Sequence, residues 1–290
     1  MTTSWRERPV GIVGLGLIGG SLGLDLRRQG LEVRALVHRE STAERARQRG
    51  LASQVSTESA VLQDCGLVVL ALPLDRLLEP PAGLRQALPA AAVVTDVGSV
   101  KGPVLQRWHH WHSRFVASHP MAGTAEAGVE AGIEGLFQGR PWVATPEADT
   151  EAEALESVRQ LAQLLGAQWL SCPAAAHDQA VALISHMPVL VSAALLQAAD
   201  QGAQSADDPA QVAALVRQLA SSGFADTSRI GGGNPELGTL MAQSNREAVV
   251  AALGVYRRQL QGLEQLVEQQ RWGELQEELS RCQQLRPDFL

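Results

Sequence analysis

The stretch Val10-Gly11-Ile12-Val13-Gly14-Leu15-Gly16-Leu17-Ile18-Gly19 decides the fold. A short β-branched apolar run leads into three glycines at GxGxxG spacing, and a helical pattern follows them. The first glycine lets the chain turn off a strand, the second lets a backbone approach a pyrophosphate, and the third lets the helix pack on the sheet. Because a strand precedes the motif and a helix N-terminus follows it, we interpret the stretch as a dinucleotide-binding turn.

Composition narrows the class of protein. The chain has 290 residues, enough for one large domain or two ordinary ones. Its net charge of -7 argues against nucleic-acid binding, because phosphate backbones are bound by clustered cations. Three distant cysteines without a CxxC pair indicate a reducing compartment. The first strand starts near residue 9, which leaves no room for a targeting peptide, so we expect a cytoplasmic protein.

The second predicted strand, 31–37, ends in residues that bear on the choice of cofactor. Enzymes that prefer NAD usually place an acid here to accept the ribose 2′-OH, whereas this chain has His38 and Arg39, followed by Ser41 and Thr42. A cation with two hydroxyl donors suits a 2′-phosphate, so the sequence favours NADP. Two observations weigh against this: Ser41 is also a typical helix cap, and Glu40 would repel a phosphate if it pointed inward.

Alternating strands and helices predict a doubly wound sheet, with further strands at 67–72, 92–97, 115–118, 141–145 and 167–172 and a helix at 151–165. Ligands of such sheets bind outside the carboxyl ends of the strands. Ser99 and Lys101 follow one strand end, and His119 stands at another. Ser99 could equally cap a helix, and His119 could be structural, but a histidine beside a nucleotide site suits proton transfer.

The histidines at 109, 110 and 112 lie on an amphipathic helical stretch between tryptophans. Because no carboxylate or cysteine stands at ligand spacing, we predict a solvated helix face and no metal site.

Strand signals stop at Pro173, and long helical patterns follow at 174–199, 208–220, 236–270 and 272–285. We therefore predict two domains: residues 1–172 bind the dinucleotide, and residues 173–290 form an all-helical domain for substrate binding and dimerisation. The apolar run 181–196 contains Ser185, His186 and Pro188, so we predict a buried helix and not a membrane span. Wide apolar stripes indicate a homodimer; they comprise Leu183, Leu190, Leu195, Leu196, Leu253, Leu260, Leu263 and Leu266.

Two polar interruptions of the helical half point to function. His177-Asp178 and Ser185-His186 place polar groups in an apolar helix, although His177 could be a satisfied core histidine. The glycine-rich stretch 221–235 carries one arginine, Arg229, and we interpret it as a ligand-binding loop.

Taken together, these motifs resemble those of the prephenate/arogenate dehydrogenase family of tyrosine biosynthesis, and most closely the NADP-dependent arogenate dehydrogenases of the cyanobacterial type. The matching segments are 14–19, 96–101 (DVGSVK), 119–123 (HPMAG), 177–178, 185–188 (SHMP), and 226–229 with 231–236 (GGGNPE). They occur in order and span nearly the whole chain.

The resemblance implies a Rossmann-type α/β domain followed by an all-α dimerisation domain, and a reaction in which hydride leaves a cyclohexadiene while carbon dioxide is lost. It implies that His119 removes the proton of the ring hydroxyl, that Ser99 orients the reacting groups, and that Arg229 binds a carboxylate. The remaining substrate contacts are expected at His177, Ser185, Gly123 and Thr124. The cofactor contacts are expected at Gly14, Gly16, Leu17, Ile18, Gly19, His38, Arg39, Ser41, Thr42, Leu72, Pro73 and Ser99.

Two departures bear on the substrate. Relatives that use prephenate tend to have a histidine where this chain has Val189, and a glutamate where it has Ala125, followed by Glu126. We therefore expect oxidation of L-arogenate to L-tyrosine, with prephenate oxidation to 4-hydroxyphenylpyruvate as the alternative and a non-catalytic NADP-binding dimer as a third hypothesis. A β-hydroxyacid dehydrogenase is disfavoured, because its catalytic lysine has no counterpart in the helical half.

Overall fold

A computed structural model describes residues 4–124 and 126–289, and its first part is built on a six-stranded parallel sheet. The strands are β1 (Val10–Val13), β2 (Val33–Leu36), β3 (Gln54–Ser56), β4 (Leu67–Leu70), β5 (Val93–Asp96) and β6 (Phe115–Val116), in the order β3-β2-β1-β4-β5-β6. The helices between them are α1 (Leu17–Arg28), α2 (Glu40–Gln48), α3 (Leu74–Leu78), α4 (Leu84–Ala87) and α5 (Gly102–Trp108). This order confirms the predicted doubly wound, Rossmann-type sheet.

The chain leaves this sheet immediately after β6. The sequence predicts one strand over 115–118, whereas the structure breaks it at Ala117 and starts a second, three-stranded sheet. In it, β7 (Ser118–Pro120) pairs antiparallel with β8 (Pro141–Ala144), and β8 pairs parallel with β9 (Gln168–Ser171). Helix α6 (Ala152–Leu164) connects the last two strands. The break follows from Ser118, whose backbone N–H and hydroxyl both donate to Asp96 at the end of β5.

Two apolar clusters cover the two faces of the parallel sheet. Successive residues of β1 point to opposite faces, so Ile12 joins one cluster and Val13 the other. The first cluster includes Trp142 of the second sheet, and the second includes Trp108 of α5. Both strands next to β1 are buried along their whole length on at least one face, as a parallel sheet covered by helices requires.

The second part of the chain is helical, but it is more broken than the periodicity predicts. Its helices are α7 (Ala174–Val181), α8 (Met187–Gly202), α9 (Pro209–Leu219), α10 (Ser222–Ser228), α11 (Pro235–Ser244), α12 (Arg246–Glu268) and α13 (Trp272–Leu285). A π-helical turn, Ala182–His186, interrupts the helix predicted over 174–199. Pro188 explains this, because a proline has no N–H for the preceding turn and its ring crowds the carbonyl one turn earlier.

Two further predictions for the helical half are wrong. The helix predicted over 236–270 is divided at Asn245, whose side chain turns inward to donate to the backbone carbonyl of Asp178 at 2.7 Å. The stretch 221–235 is not an open loop: most of it forms α10 and a 3-10 turn, Arg229–Gly232. Gly231 explains the turn, since a Cβ there would lie 2.4 Å from backbone atoms of α8.

The long apolar helix is not buried within the chain, which contradicts the prediction for 181–196. None of the eight leucines of the predicted stripes is buried, and Leu183 and Ile184 are 47% and 58% exposed. By length and composition, the helical segment Ala174–Ser205 could cross a membrane. However, two of its buried polar residues are bonded to other parts of the protein: Asp178 accepts from the backbone N–H groups of Lys101 and Gly102 at the start of α5, and Ser192 accepts from the backbone N–H of Gly231.

Candidate active site

The glycines of the first turn have the geometry that the motif requires. Gly14 adopts a φ of +94°, and a Cβ there would lie 2.5 Å from the carbonyl oxygen of Ala71. A Cβ on Gly19 would lie 2.0 Å from the carbonyl oxygen of Gly14, so this glycine allows α1 to pack on the turn. A Cβ on Gly16 would meet no atom within 4 Å, which leaves open space for a ligand beside its backbone.

That open space belongs to a cavity of about 630 Å³ at the carboxyl ends of β1, β2 and β4. Six of the predicted cofactor residues line it: Gly14, Gly16, His38, Arg39, Thr42 and Leu72. The other predicted residues are not part of its lining and stand in the first turns of helices or just before them: Leu17, Ile18 and Gly19 in α1, Ser41 in α2, Pro73 before α3 and Ser99 before α5. The donor set and the shape fit a bound dinucleotide.

The structure adds a cation to the tip of β2 that the sequence did not reveal. Arg45, one turn beyond Ser41 in α2, lines the cavity together with Arg39. Glu40, which weighed against a phosphate, is instead paired with Arg47 at 2.7 Å and does not line the cavity. One carboxylate does line it, that of Glu58 after β3.

A buried ion pair joins the ends of β5 and β7. Lys101 is fully buried, and its Nζ donates to the carboxylate of Asp96 and, at 2.6 Å, to the carbonyl of Ser118. Asp96 also accepts from the backbone N–H groups of Gly98 and Ser118, at 2.8 and 3.1 Å. The residues that follow these two positions are Ser99 and His119, so a single carboxylate positions the backbone before both predicted catalytic residues.

A second chain of hydrogen bonds connects His119 to the helical half of the protein. Its Nδ1 is 3.0 Å from Nε2 of His177, and Nδ1 of His177 is 2.8 Å from Oδ1 of Asp178. The Asp178 carboxylate also accepts from the backbone N–H groups of Lys101 and Gly102, at 2.7 and 2.8 Å. The carboxylate therefore fastens α7 to the start of α5.

The pKa values of His119 and Asp178 both lie below their ordinary values, which keeps the histidine neutral and the aspartate charged. The pKa of His119 lies well below its ordinary value because burial disfavours the charged ring, and Lys101, His177 and His186 add to the effect. Burial alone would raise the pKa of Asp178, but its hydrogen bonds from His177 and the two backbone N–H groups lower it instead. At neutral pH, His119 is therefore a neutral imidazole and Asp178 is a carboxylate.

His186, the last residue of the π-helical turn, is the third histidine of this centre. It is 2% exposed, and burial is the main cause that lowers its pKa to about 4. The amide of Asn245, oriented by its bond to the Asp178 carbonyl, lies 3.3 Å from Nδ1 of His186, so Nδ1 accepts and Nε2 carries the proton. That Nε2 has no hydrogen-bond partner among the residues that the structure describes.

The other predicted substrate residues are not drawn into this cluster. Ser185 is partly exposed beside His186, and Gly123 and Thr124 are exposed in the segment after β7. Arg229 is exposed at the end of α10 and forms no ion pair with the residues described. Val189 is partly exposed in α8, and Ala125 lies outside the described residues. The predicted substrate contact of His177 is not available through its ring nitrogens, because both bond to protein groups.

The sequence alone gives no role to five residues of this centre, although all of them except Asn245 stand in motifs named above: Asp96, Lys101, Asp178, His186 and Asn245. Two of them carried a readable signal, since Lys101 is the only lysine of the chain and stands five residues after a strand-end aspartate. Asn245 carried none, because it lies within an unbroken helical pattern. Among the described residues, no group of three or more His, Cys, Asp or Glu side chains is arranged to hold a metal ion.

Comparison with known proteins identifies the family to which this geometry belongs. Residues 22–171 match the nucleotide-binding domain of prephenate dehydrogenase, and residues 173–281 match its dimerization domain. The chain is 41% identical to the crystal structure of Synechocystis arogenate dehydrogenase, covering 97% of this chain and 100% of that one, with a TM-score of 0.80. Prephenate dehydrogenase from A. aeolicus, in complex with hydroxyphenyl propionate and NAD+, is 27% identical over 100% and 99% of the two chains, with a TM-score of 0.88.

A curated relative, the cyclohexadienyl dehydrogenase of Zymomonas mobilis, is 28% identical and covers 96% of this chain and 94% of its own. The family confirms the resemblance drawn from the motifs, and it confirms an oxidoreductase of tyrosine biosynthesis with a pyridine nucleotide cofactor and a small-molecule substrate. The chain therefore belongs to the prephenate/arogenate dehydrogenase family.

Proposed function

We propose that this protein is an NADP-dependent arogenate dehydrogenase, which converts L-arogenate to L-tyrosine by oxidative decarboxylation. The observation that carries the cofactor part is the pair Arg39 and Arg45 at the cavity wall beyond β2, where an NAD enzyme usually places an acid. Two guanidinium groups beside the hydroxyl of Thr42 suit a 2′-phosphate, and Glu40 is held away by Arg47.

The substrate part depends on Val189 and on similarity. An apolar valine replaces the histidine that prephenate-using relatives tend to have, which removes a donor for a keto-acid side chain. Identity to the Synechocystis arogenate dehydrogenase is 41%, against 27% to the A. aeolicus prephenate dehydrogenase. Arogenate carries an amino-acid side chain where prephenate carries a keto acid, so the two substrates differ at that end alone.

In this proposal, the neutral imidazole of His119 accepts the proton of the ring hydroxyl through Nε2, because its Nδ1 is engaged with His177. Bound NADP supplies the acceptor for the hydride that leaves the hydroxyl-bearing carbon. Loss of carbon dioxide leaves its bonding electrons in the ring, which becomes aromatic. Ser99 orients the hydroxyl, Arg229 binds a substrate carboxylate, and Ser185, Gly123 and Thr124 line the substrate end.

The organisation of the chain follows the same proposal. We divide it into a dinucleotide-binding domain, 1–172, and a helical domain for substrate binding and dimerisation, 173–290; β9 ends at Ser171 and α7 begins at Ala174. The match to a dimerization domain and the exposed apolar helices support a homodimer. Soluble biosynthetic relatives support a cytoplasmic location.

The test is reduced-cofactor formation by the purified protein with arogenate and with prephenate, each with NADP and with NAD. We expect turnover of arogenate with NADP to exceed that of the other three pairs. Faster turnover of prephenate would show that Val189 does not set the substrate, and faster turnover with NAD would show that Arg39 and Arg45 do not bind a phosphate.

The variant Arg39→Ser tests directly whether the cavity prefers NADP to NAD. Loss of a charge-assisted bond of about 1.5–3 kcal/mol should raise the KM for NADP by about 10- to 100-fold while leaving the KM for NAD nearly unchanged. Arg76→Ser, an exposed arginine outside the cavity, is the matched control. An equal rise for NADP and NAD would contradict the phosphate contact.

A further inference from the structure

We propose that His119, His177 and Asp178 form a proton relay, in which the proton taken from the substrate hydroxyl at His119 is passed on to His177 and held there by Asp178. The proposal deepens the reaction described above and rests on it. It holds for arogenate and prephenate alike, because both carry the ring hydroxyl that loses the proton.

The direction of the relay follows from the hydrogen bonds. An ionised carboxylate can only accept, so Asp178 requires that Nδ1 of His177 carry a proton. A neutral His177 then has a lone pair on Nε2, and this nitrogen must accept from Nδ1–H of His119 at 3.0 Å. His119 is left with its lone pair on Nε2, the nitrogen not engaged by His177. A carboxylate two rings away thus selects the tautomer in which His119 is a base.

The surroundings explain why the proton does not stay on His119. Burial, Lys101, His177 and His186 all lower the pKa of His119, so the ring is a weak final acceptor. Asp178, by contrast, is held as an anion by two backbone N–H groups and touches His177 directly. Among the described residues, the charged or titratable groups near the relay are Lys101 with its partner Asp96, His186, and Cys172 near Asp178; the neutral Asn245 adjoins Asp178.

The step balances without another reactant. The substrate O–H bond breaks and a bond to Nε2 of His119 forms; the Nδ1–H bond of His119 breaks and a bond to Nε2 of His177 forms. His177 becomes an imidazolium paired with the Asp178 carboxylate, and His119 is again neutral. One proton has moved from the hydroxyl to His177, and it returns through His119 to the phenolate oxygen that loss of carbon dioxide leaves on the product.

His177→Gln tests the relay with little change in shape, because the glutamine carbonyl can still accept from His119 while it cannot take up a proton. We expect kcat to fall by about 10- to 100-fold, within the range that proton transfer by a positioned side chain contributes, with the KM values nearly unchanged. The acid limb of the kcat/KM profile should move to higher pH, because His177 is one of the groups that lower the pKa of His119. The dependence of kcat on the D₂O fraction should indicate that two protons move in the transition state of the unmodified protein and that only one moves in the variant.

Asp178→Asn is the second variant, and it removes the charge that selects the tautomer. We expect a larger fall in kcat, about 100- to 1,000-fold, by analogy with the loss of the orienting carboxylate in a catalytic triad. His110→Gln, on an exposed histidine, is the matched control and should leave kcat, KM and the pH profile unchanged. An unchanged kcat and acid limb in His177→Gln would overturn the relay.

A measurement without turnover separates this inference from the proposed function. ¹⁵N chemical shifts of the imidazole nitrogens in the unliganded protein should show protonated Nδ1 and bare Nε2 for both His119 and His177. The opposite tautomer at His119 would overturn the relay whatever the substrate is. Absence of turnover with all four substrate and cofactor pairs, with the expected tautomers present, would overturn the proposed function instead.

Discussion

The two halves of the molecule differ in how much of themselves they bury. The sheet half contains two large apolar clusters that cover both faces of the parallel sheet, whereas the buried cluster of the helical half contains three residues, Ala182, Val249 and Ala252. Helices α9 and α13 hold no buried residue. The difference teaches that the sheet half completes its own core, while the helical half has apolar faces that only another surface can complete.

The largest effect is expected when a charge is placed on an exposed apolar residue of each half, which tests whether only the helical half is covered by another surface. Ile184→Asp puts a carboxylate on the apolar face of the long helix, where 58% of the residue is exposed. If a second copy covers that face, the buried charge is costly and the mass in solution should drop from twice 30.9 kDa to 30.9 kDa. Light scattering after size exclusion measures this.

Ile133→Asp is the control in the sheet half, at a residue that is 46% exposed. Because this half completes its own core, we expect the variant to keep the mass of the unmodified protein. A dimer that survives Ile184→Asp would place the interface elsewhere.

The second prediction concerns the buried polar groups where the two halves meet, which we call the polar seam: Asp96, Lys101, His119, His177, Asp178 and His186. Lys101→Met leaves the Asp96 carboxylate buried without its cation, and removing one partner of a buried pair costs about 3–5 kcal/mol. Arg28→Met breaks a pair whose side chains are 70% and 55% exposed, and should cost less than about 1 kcal/mol. Urea unfolding at fixed protein concentration compares them. Adding Asp96→Asn to Lys101→Met should recover part of the loss, and equal losses in the two single variants would contradict this account.

The third and smallest effect is the response of the seam to acid. Burial lowers the pKa of His186 from 6.5 to about 4, so the folded state keeps this ring neutral while the unfolded chain protonates it. Stability should therefore fall as the pH drops from about 6.5 towards 4, by about 3 kcal/mol for this group. Urea unfolding at pH 7 and at pH 4.5 measures the loss, and His186→Asn should show less of it. An equal loss in both proteins would assign the acid response to other groups.

The sequence predicts the sheet half well because its signals are local. The turn at Gly14, Gly16 and Gly19 needs only its own strand and helix, and alternation with helices indicates a parallel sheet. The helical half was predicted less well because distant contacts break its helices. The break at Asn245 serves a carbonyl 67 residues away, and no property of the local pattern marks it.

The candidate site divides in the same way. Ser99 and most of the cofactor residues follow strands whose ends are predictable, so their places could be inferred. His119 was expected at a strand end and instead lies within β7 (Ser118–Pro120). The partnership of Asp178 with the start of α5 joins residues 76 and 77 positions apart, and only the folded chain brings them together. The predicted loop around Arg229 failed for a similar reason, since the close approach of Gly231 to α8 imposes a helical turn on a flexible composition.

Lys101, the only lysine of the chain, is fully buried. The folded protein therefore presents no side-chain amine to amine-specific reagents such as succinimidyl esters. Immobilisation, fluorescent tagging or cross-linking through lysine will fail on intact molecules and succeed only on those that have opened. The rate at which a label accumulates at this one position then serves as a clock for unfolding, with no engineered probe required.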